Sequence, residues 1–403
     1  FCSVTLTPTL MSEKMLYEPK TDPNQIVTCE NPFPYTEPEI EWNKTYSGFG
    51  NRLAYSICEK SDGNYVVTGF SWLGNSRFLL IMKIDQNGSL IWEKEIENDE
   101  LITGNKIIET IDNNYLISGG ISQSSNNYDL LLLKIDKDGR ILWQKTYDFD
   151  NADMGTDLIE TNNGQYVVAG FVGNVYDDTG DILVIKTDKE GNIIWDKTYR
   201  STTSCLGYSI CETNDNGYVV VGEGANAPGD SLIIVYRLNS NGDIVWYKLF
   251  NPNPSHDGAY NVIQTRKGNI VVAGYTHSTD SDGILICLND EGEKCWQHIY
   301  PGGSYDDFQS IKETHDGGLI IAGSTSYYND VWLLRTDETG SILWDAIYGG
   351  ENSDRGFDVE ITNDFGYILL GNTRSFSVDN NKDVWILKLS SDDKNPPYID
   401  LDR

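Results

Sequence analysis

The sequence predicts an all-β chain, a seven-bladed β-propeller of four-stranded antiparallel blades, on three observations. First, seven of the ten Trp stand at positions 42, 92, 143, 195, 246, 296 and 344, so the intervals are 50, 51, 52, 51, 50 and 48 residues. A fixed period of that size marks one supersecondary unit copied in series. Second, each unit holds short apolar runs rich in Val, Ile, Leu and Tyr, of strand rather than helix length. Third, Gly-containing polar turns such as "DKDG" and "DETG" part the runs at matching places. Serial four-stranded units of about 50 residues build a propeller, whose blades pack face to face around an axis. A solenoid, the runner-up, would need capping units, and the sequence shows none.

The elements follow in chain order. Residues 1–38 share nothing with the repeat and read as an extended arm, in which Cys2, Val4 and Leu6 alternate with Ser3, Thr5 and Thr7, the period of a strand with one buried face. Residues 39–46, "EIEWNKTY", copy the end of a unit, as in "RILWQKTY" and "SILWDAIY", yet follow no unit of their own. The last unit lacks that end: after its third strand, "DVWILKL", the chain reads "SSDDKNPPYIDLDR". Strand 39–46 is therefore expected to complete blade 7 and close the ring, which leaves a propeller over 39–390 and a tail over 391–403. Pairing the first strand with the last blade also protects that blade from fraying.

Within a blade, strand A carries one aliphatic residue (Ile57, Ile107, Leu158, Ile210, Val262, Ile311, Val359). Strand B ends in Gly (Gly69, Gly119, Gly170, Gly222, Gly274, Gly323, Gly371), strand C is a second apolar run, and strand D holds the Trp. The near-continuous apolar character of B and C fits blades covered on both faces.

The unit "DGGLIIAGSTSYYNDVWLLRTDETGSILWDAIYGG" closely resembles a family of bacterial and archaeal secreted or lipoprotein β-propellers, over residues 39–390. The resemblance implies seven blades and a place on or outside the cell surface; it implies no activity.

Composition narrows the partners. With 61 Asp and Glu against 30 Lys and Arg, the formal charge is −31, and a nucleic-acid module needs a positive face to release counterions. No run reaches the ~18 apolar residues of a membrane span. The opening Phe1 reads as a processed, soluble protein, and the acidic, Tyr- and Trp-rich composition fits secretion or the cell surface. Seven Cys are too few to scaffold a chain of this length, so packing must supply the core.

Site candidates come from loop position. The A-B and C-D turns are short and uniform, whereas the B-C and D-A loops on the other face are long and variable, and variable loops on a rigid scaffold carry binding residues. Tyr176, Asp177, Asp178, Asp280, Tyr305, Asp306, Asp307, Tyr327 and Tyr328 mark that face. Asp129, Asp181, Asp282, Asp330 and Asp383 each open strand C and are expected to accept backbone N–H bonds there. Glu59, Glu109, Glu160, Glu212 and Glu313 recur at the end of strand A and are expected to pair with the strand C cations Lys83, Lys134, Lys186, Arg237, Arg335 and Lys388. Asp148, Asp150 and Asp153 space oxygen donors closely enough to suggest calcium, without the full twelve-residue loop pattern. No other cofactor is indicated. A three-residue C-D loop in blade 5 would set Cys287 opposite Cys295 for a cross-strand disulfide. Cys2 and Cys29, both before the propeller, form a second candidate pair.

No G-x-S-x-G, P-loop or dinucleotide fingerprint occurs. The expectation is a non-enzymatic extracellular propeller with a structural or interaction role, a subunit of a surface assembly or filament held by self-association through its arm. The alternative is a carbohydrate- or calcium-dependent binding module using the long-loop face, which an aromatic-lined pocket flanked by carboxylates would favour. A glycoside hydrolase or lyase ranks third.

Overall fold

The computed structural model describes residues 35–392 except 49, 75, 99–100, 125–126, 150–151, 174–179, 228–229, 254–255, 326–329 and 378–380. Cys2, Val4, Leu6 and Cys29 of the arm lie outside the described residues, and so do Asp150, Tyr176, Asp177, Asp178, Tyr327 and Tyr328.

Among the described residues, twenty-eight strands form seven antiparallel sheets of four, each in the order A-B-C-D. Strand A runs Asn51–Glu59, Ile102–Glu109, Asp153–Glu160, Ser204–Glu212, Asp257–Gln264, Asp307–Glu313 and Asp354–Ile361 in blades 1 to 7. Blade 7 takes its outer strand from Ile40–Tyr46, which pairs with Asp383–Leu389 so that Thr45 faces Trp385 and Lys44 faces Ile386. The predicted closure is therefore present. Blade 1 then packs its strand A on the strands of blade 7, and no gap interrupts the ring.

The core lies between blades rather than within them. Alternate residues of one strand serve opposite neighbours: Val67 packs with Ile368 and Val384 of blade 7, whereas Val66 packs with Ile117 and Leu131 of blade 2. Both are fully buried. A strand covered on two faces has few positions to give to polar residues, hence its near-continuous apolar sequence, and the buried Thr68 satisfies its hydroxyl on the Leu80 carbonyl. At roughly 25 cal/mol per Å² of apolar surface removed from water, these seven interfaces supply the main cohesion of the ring.

Polar repeats lock the same interfaces. Six of the seven recurrent Trp rest on the C-D turn glycine of the next blade, as a Cβ on Gly139, which has φ +75°, would come within 3.2 Å of the Trp92 ring; the seventh, Trp344, faces blade 7, which has no such turn, and donates to Asp392. The strand D tyrosine ends the contact, with Tyr147, Tyr199 and Tyr300 donating to the carbonyls of Gly191, Gly242 and Gly340 at 2.6 Å. Tyr46 does the same to Gly88 at 2.9 Å, so the closing strand uses the ordinary contact between blades.

The strand A glutamates differ from expectation. They do not pair with the strand C cations; each carboxylate accepts a backbone N–H from the A-B turn of the preceding blade. Glu59 receives Asn363 N at 2.7 Å, Glu109 receives Ser61 N at 2.9 Å, and Glu160 receives Ile111 N at 2.7 Å. Glu313 takes Arg266 N at 2.8 Å, and Gln264 fills the same role in blade 5 with Asn214 N. The strand C cations instead bind the aspartate of the A-B turn: Lys134 to Asp112 at 2.6 Å, Arg237 to Asp215 at 2.6 Å, Arg335 to Asp316 at 2.8 Å and Lys388 to Asp364 at 2.9 Å. Strand C reaches this turn through strand B of its own blade, whereas the glutamate faces the neighbouring blade. In blade 3 Asn163 holds the turn position, and Lys186 donates to the Tyr218 hydroxyl at 3.0 Å.

Asp392 also departs from the sequence pattern, which ended the propeller at 390. It is 2% exposed and accepts from Tyr367 at 2.7 Å, Trp344 at 2.9 Å and Arg335 at 3.2 Å. Tyr35 lies over the Arg335 guanidinium and donates to Asp316, so residues from both chain ends meet at one buried cation.

Candidate binding site at the axis

Every strand A carries a β-bulge at the same place. The register shifts across Tyr55, Asn105, Thr156, Tyr208, Tyr260, Gln309 and Phe357, the residue two positions before the aliphatic one in each blade. The glycine that ends each strand B run lies opposite. Gly69 pairs with Ala54, and a Cβ on it would stand 1.9 Å from the Leu53 carbonyl oxygen, so only glycine admits this backbone approach. A bulge re-aims a side chain and adds local twist. Here seven bulges set seven side chains around one axis.

The next residue in each strand forms a second ring: Ser56, Lys106, Asp157, Ser209, Asn261, Ser310 and Asp358. Asp358 joins three blades, accepting from Ser56 Oγ at 3.2 Å and Ile57 N at 3.1 Å in blade 1, and from Ser310 Oγ at 2.8 Å in blade 6. Asp157 likewise accepts from Ser209 Oγ at 2.7 Å and Ile210 N at 2.9 Å. The Lys106 ammonium lies 3.8 Å from Asp358. Burial opposes its charge, but Asp358, Asp157 and Glu360 outweigh burial and hold it protonated, above the ordinary lysine range. This ring is the floor of a well.

The well opens on the long-loop face with a volume of about 470 Å³. Tyr55, Tyr208, Tyr260 and Phe357 supply its aromatic wall, while Asn105, Thr156 and Gln309 supply hydrogen-bonding groups. Ring centroids lie 5.3 Å apart for Tyr55 and Phe357 and 5.4 Å apart for Tyr208 and Tyr260. A second basin of about 640 Å³ adjoins it, sharing Tyr55, Tyr260 and Phe357 and adding Tyr275, Tyr305, Asp307, Arg355 and Lys382. Tyr275 stacks on Tyr260 at 5.3 Å and donates to Glu223 at 3.2 Å. Arg355 lies over the Phe357 ring and donates to Asp307 at 2.6 Å. Burial opposes the Arg355 charge, and Asp307 more than offsets it.

The structure sets Tyr305, Asp306 and Asp307 of the expected face in the basin lining, and leaves Asp280 outside it although the next residue, Ser281, bridges Tyr305. Tyr305 is 68% exposed at the basin rim. Asp306 is fully buried and braces its loop by accepting Gly302 N at 2.6 Å and Gly303 N at 2.7 Å. Asp280 is exposed at the tip of the blade 5 hairpin. Asp153, expected as a calcium ligand, is fully buried and accepts Phe149 N at 2.6 Å, a loop brace shared in kind by Asp306 and by Asp354, which takes Gly350 N at 2.9 Å. Asp148 belongs to the exposed approach to that loop. Among the described residues no group of three or more His, Cys, Asp or Glu is arranged to hold a metal.

Two further expectations change. Two of the strand C aspartates accept from side chains of the D-A loop: Asp383 from Ser47 Oγ at 2.6 Å, Asp181 from Arg200. Cys287 and Cys295 are both free thiols. Leu288 pairs with Lys294, so the loop has five residues, and the bulge beyond it sets Cys287 opposite Trp296 rather than Cys295.

The bulge residues of the well were missed in the sequence, although their signal was present. Aligning the units on the strand A aliphatic residue places aromatics two positions earlier in blades 1, 4, 5 and 7, where a purely architectural position would repeat in all seven.

No protein-family model and no curated protein matches this chain. Solved structures do match in fold. A polysaccharide lyase of the PL25 family, an ulvan lyase bound to a GlcA-Rha3S repeat, is 9% identical with TM-score 0.57, covering 86% of this chain and 96% of that one. The periplasmic gluconolactonase PpgL of Pseudomonas aeruginosa is 10% identical with TM-score 0.52, covering 75% and 87%. The Pan2 WD40 domain of Neurospora crassa is 10% identical with TM-score 0.50, covering 84% and 89%. At such identities the likeness shows the fold alone. It nonetheless corrects the expectation that the chain is not an enzyme: propellers of this architecture include a lyase and a lactonase, so the fold is no argument against catalysis.

Proposed function

We propose that the chain binds a carbohydrate in the axial well and its adjoining basin. The observation that carries this is the wall of Tyr55, Tyr208, Tyr260 and Phe357, set by four strand A bulges on the long-loop face. Aromatic faces offer the apolar C–H face of a sugar ring a large contact area, and the amides and hydroxyl of Asn105, Gln309, Asn261 and Thr156 match its hydroxyls. The two adjoining cavities, of about 470 and 640 Å³, share three aromatic rings, which supports an oligosaccharide over a single sugar. A polysaccharide ligand also accords with the secreted or surface location expected from composition.

Isothermal titration of the full chain against a panel of neutral and acidic oligosaccharides tests the reading. At least one class should bind, and Tyr260→Ala, which removes one of the three rings common to well and basin, should weaken that binding tenfold or more, about 1.4 kcal/mol. Binding that is indifferent to Tyr260→Ala, or no binding by any oligosaccharide, would overturn it.

A further inference from the structure

We infer that the blade 7 wall of the basin is an anion subsite, where Lys382 and Arg355 of the lining, with the exposed Arg374 across the hairpin from Lys382, receive a carboxylate or sulfate group of an acidic polysaccharide. The inference rests on the carbohydrate reading of the well and names the class of saccharide.

The chain has twice as many acids as bases, 61 against 30. In such a protein a cation readily finds an anion, and the described cations mostly do: Arg52 meets Glu93 at 2.7 Å, Lys312 meets Glu360, and Arg355 meets Asp307. Lys382 and Arg374 are among those that do not. Among the described residues neither has a carboxylate within ion-pair distance. Instead they stand near each other: Thr373 pairs with Asp383, so Arg374 and Lys382 are the next residues across the B-C hairpin of blade 7, Arg374 exposed and Lys382 half-buried, and after burial the charges of Arg374 and Arg355 depress the Lys382 pKa. Asp307 balances Arg355, but Lys382 and Arg374 are like charges side by side and repel one another.

Their backbones are fixed. Lys382 N donates to Asn51 Oδ1 at 2.9 Å and its carbonyl accepts Arg52 N at 2.7 Å, which ties it to blade 1. Arg374 N donates to the Ser353 carbonyl at 3.0 Å and to Asp354 Oδ1 at 3.2 Å. Lys382 lines the basin with Ser353, Arg355 and the Tyr55 and Tyr260 rings. The basin thus has an aromatic side for a sugar ring and a cationic side for its acid group. An incoming anion relieves the repulsion among the cations, so charge recognition adds to binding instead of only replacing water contacts.

The test uses the full chain and four probes: oligogalacturonate, sulfated carrageenan oligosaccharide, neutral cello-oligosaccharide and inorganic sulfate. Titrations run at low and at high salt, on wild type, Tyr260→Ala and Lys382→Ala/Arg374→Ala, with thermal melting to show that the variants fold. An acidic oligosaccharide should bind best, weaken with salt, and lose about tenfold or more in affinity in the double variant, while any neutral binding stays unchanged. The two acidic probes separate carboxylate from sulfate. If Tyr260-dependent binding is as strong for the neutral probe as for the acidic ones, or survives the double substitution, the subsite is overturned and the carbohydrate reading stands. If inorganic sulfate binds but no oligosaccharide does, or if nothing binds, both fall.

Discussion

The two ends of the axial channel are built by the same seven strands and are unlike in every other way. At the short-turn end, Glu59, Glu109, Glu160, Glu212 and Glu313 repeat, with Gln264 in blade 5, and each bonds the turn of the preceding blade. At the long-loop end, the bulge positions read Tyr, Asn, Thr, Tyr, Tyr, Gln and Phe around the ring. Repetition at one end reflects a contact every blade must make with its neighbour. Variation at the other shows positions released from that duty, and it is there that aromatic and cationic groups collect. In a repeat protein the residues that break the repeat are the better guide to function.

If that division holds, damage to the repeated contacts should cost stability, and damage to the varied ones should not. The largest loss is expected from removing residues 35–46. Blade 7 would be left with three strands and an open edge at Asp383–Leu389, and blade 1 would lose the Trp42 and Tyr46 contacts. No cooperative melting transition, or aggregation on refolding, should be seen by circular dichroism. Next in size is Arg335→Met. The guanidinium is fully buried between Asp316 and Asp392, and breaking a buried ion pair by removing one partner costs about 3–5 kcal/mol. Urea denaturation measures it directly.

Asp358→Asn should follow, at about 1–3 kcal/mol by urea denaturation. The amide keeps one acceptor, but its NH₂ group meets donors on the other side and Lys106 loses the nearest negative charge. Tyr208→Ala belongs to the other end. The ring is half-buried, it packs on Tyr260, and its removal should cost only about 1 kcal/mol while weakening ligand binding. A stability loss for Tyr208→Ala as great as for Asp358→Asn would erase the contrast between the ends.

The architecture was legible because its causes are periodic. Trp at a fixed interval, the glycine that ends strand B and the orphan strand at 39–46 each answer to a contact repeated in all or most blades, and repetition makes a weak local signal strong. Pairing was less legible. The glutamates and the strand C cations repeat in step, which suggested each other as partners, but sequence period carries no information on which blade a side chain faces. Cys287 and Cys295 failed through a bulge, because a single extra residue moves every register position beyond it. The well was hidden for the opposite reason: its residues share a position but not a chemistry, so a search for repeated residues passes over them.

Glu59→Gln offers the smallest and most discriminating effect. Burial, only partly offset by the Asn363 N–H, raises the Glu59 carboxyl to about 7. A carboxyl whose folded pKa lies above its unfolded value favours folding fully below the unfolded value, and that contribution is lost as pH rises through about 7, where the folded group must ionise at a cost. Glutamine accepts the same N–H without any charge, as Gln264 does for Asn214 in blade 5. The variant should therefore melt close to wild type at acidic pH and higher than wild type above neutrality. Equal melting temperatures across the pH range would mean that Glu59 is not held in a desolvated site. A variant less stable than wild type at alkaline pH would mean that the carboxylate's charge, rather than its acceptor oxygen, is what the turn of blade 7 requires.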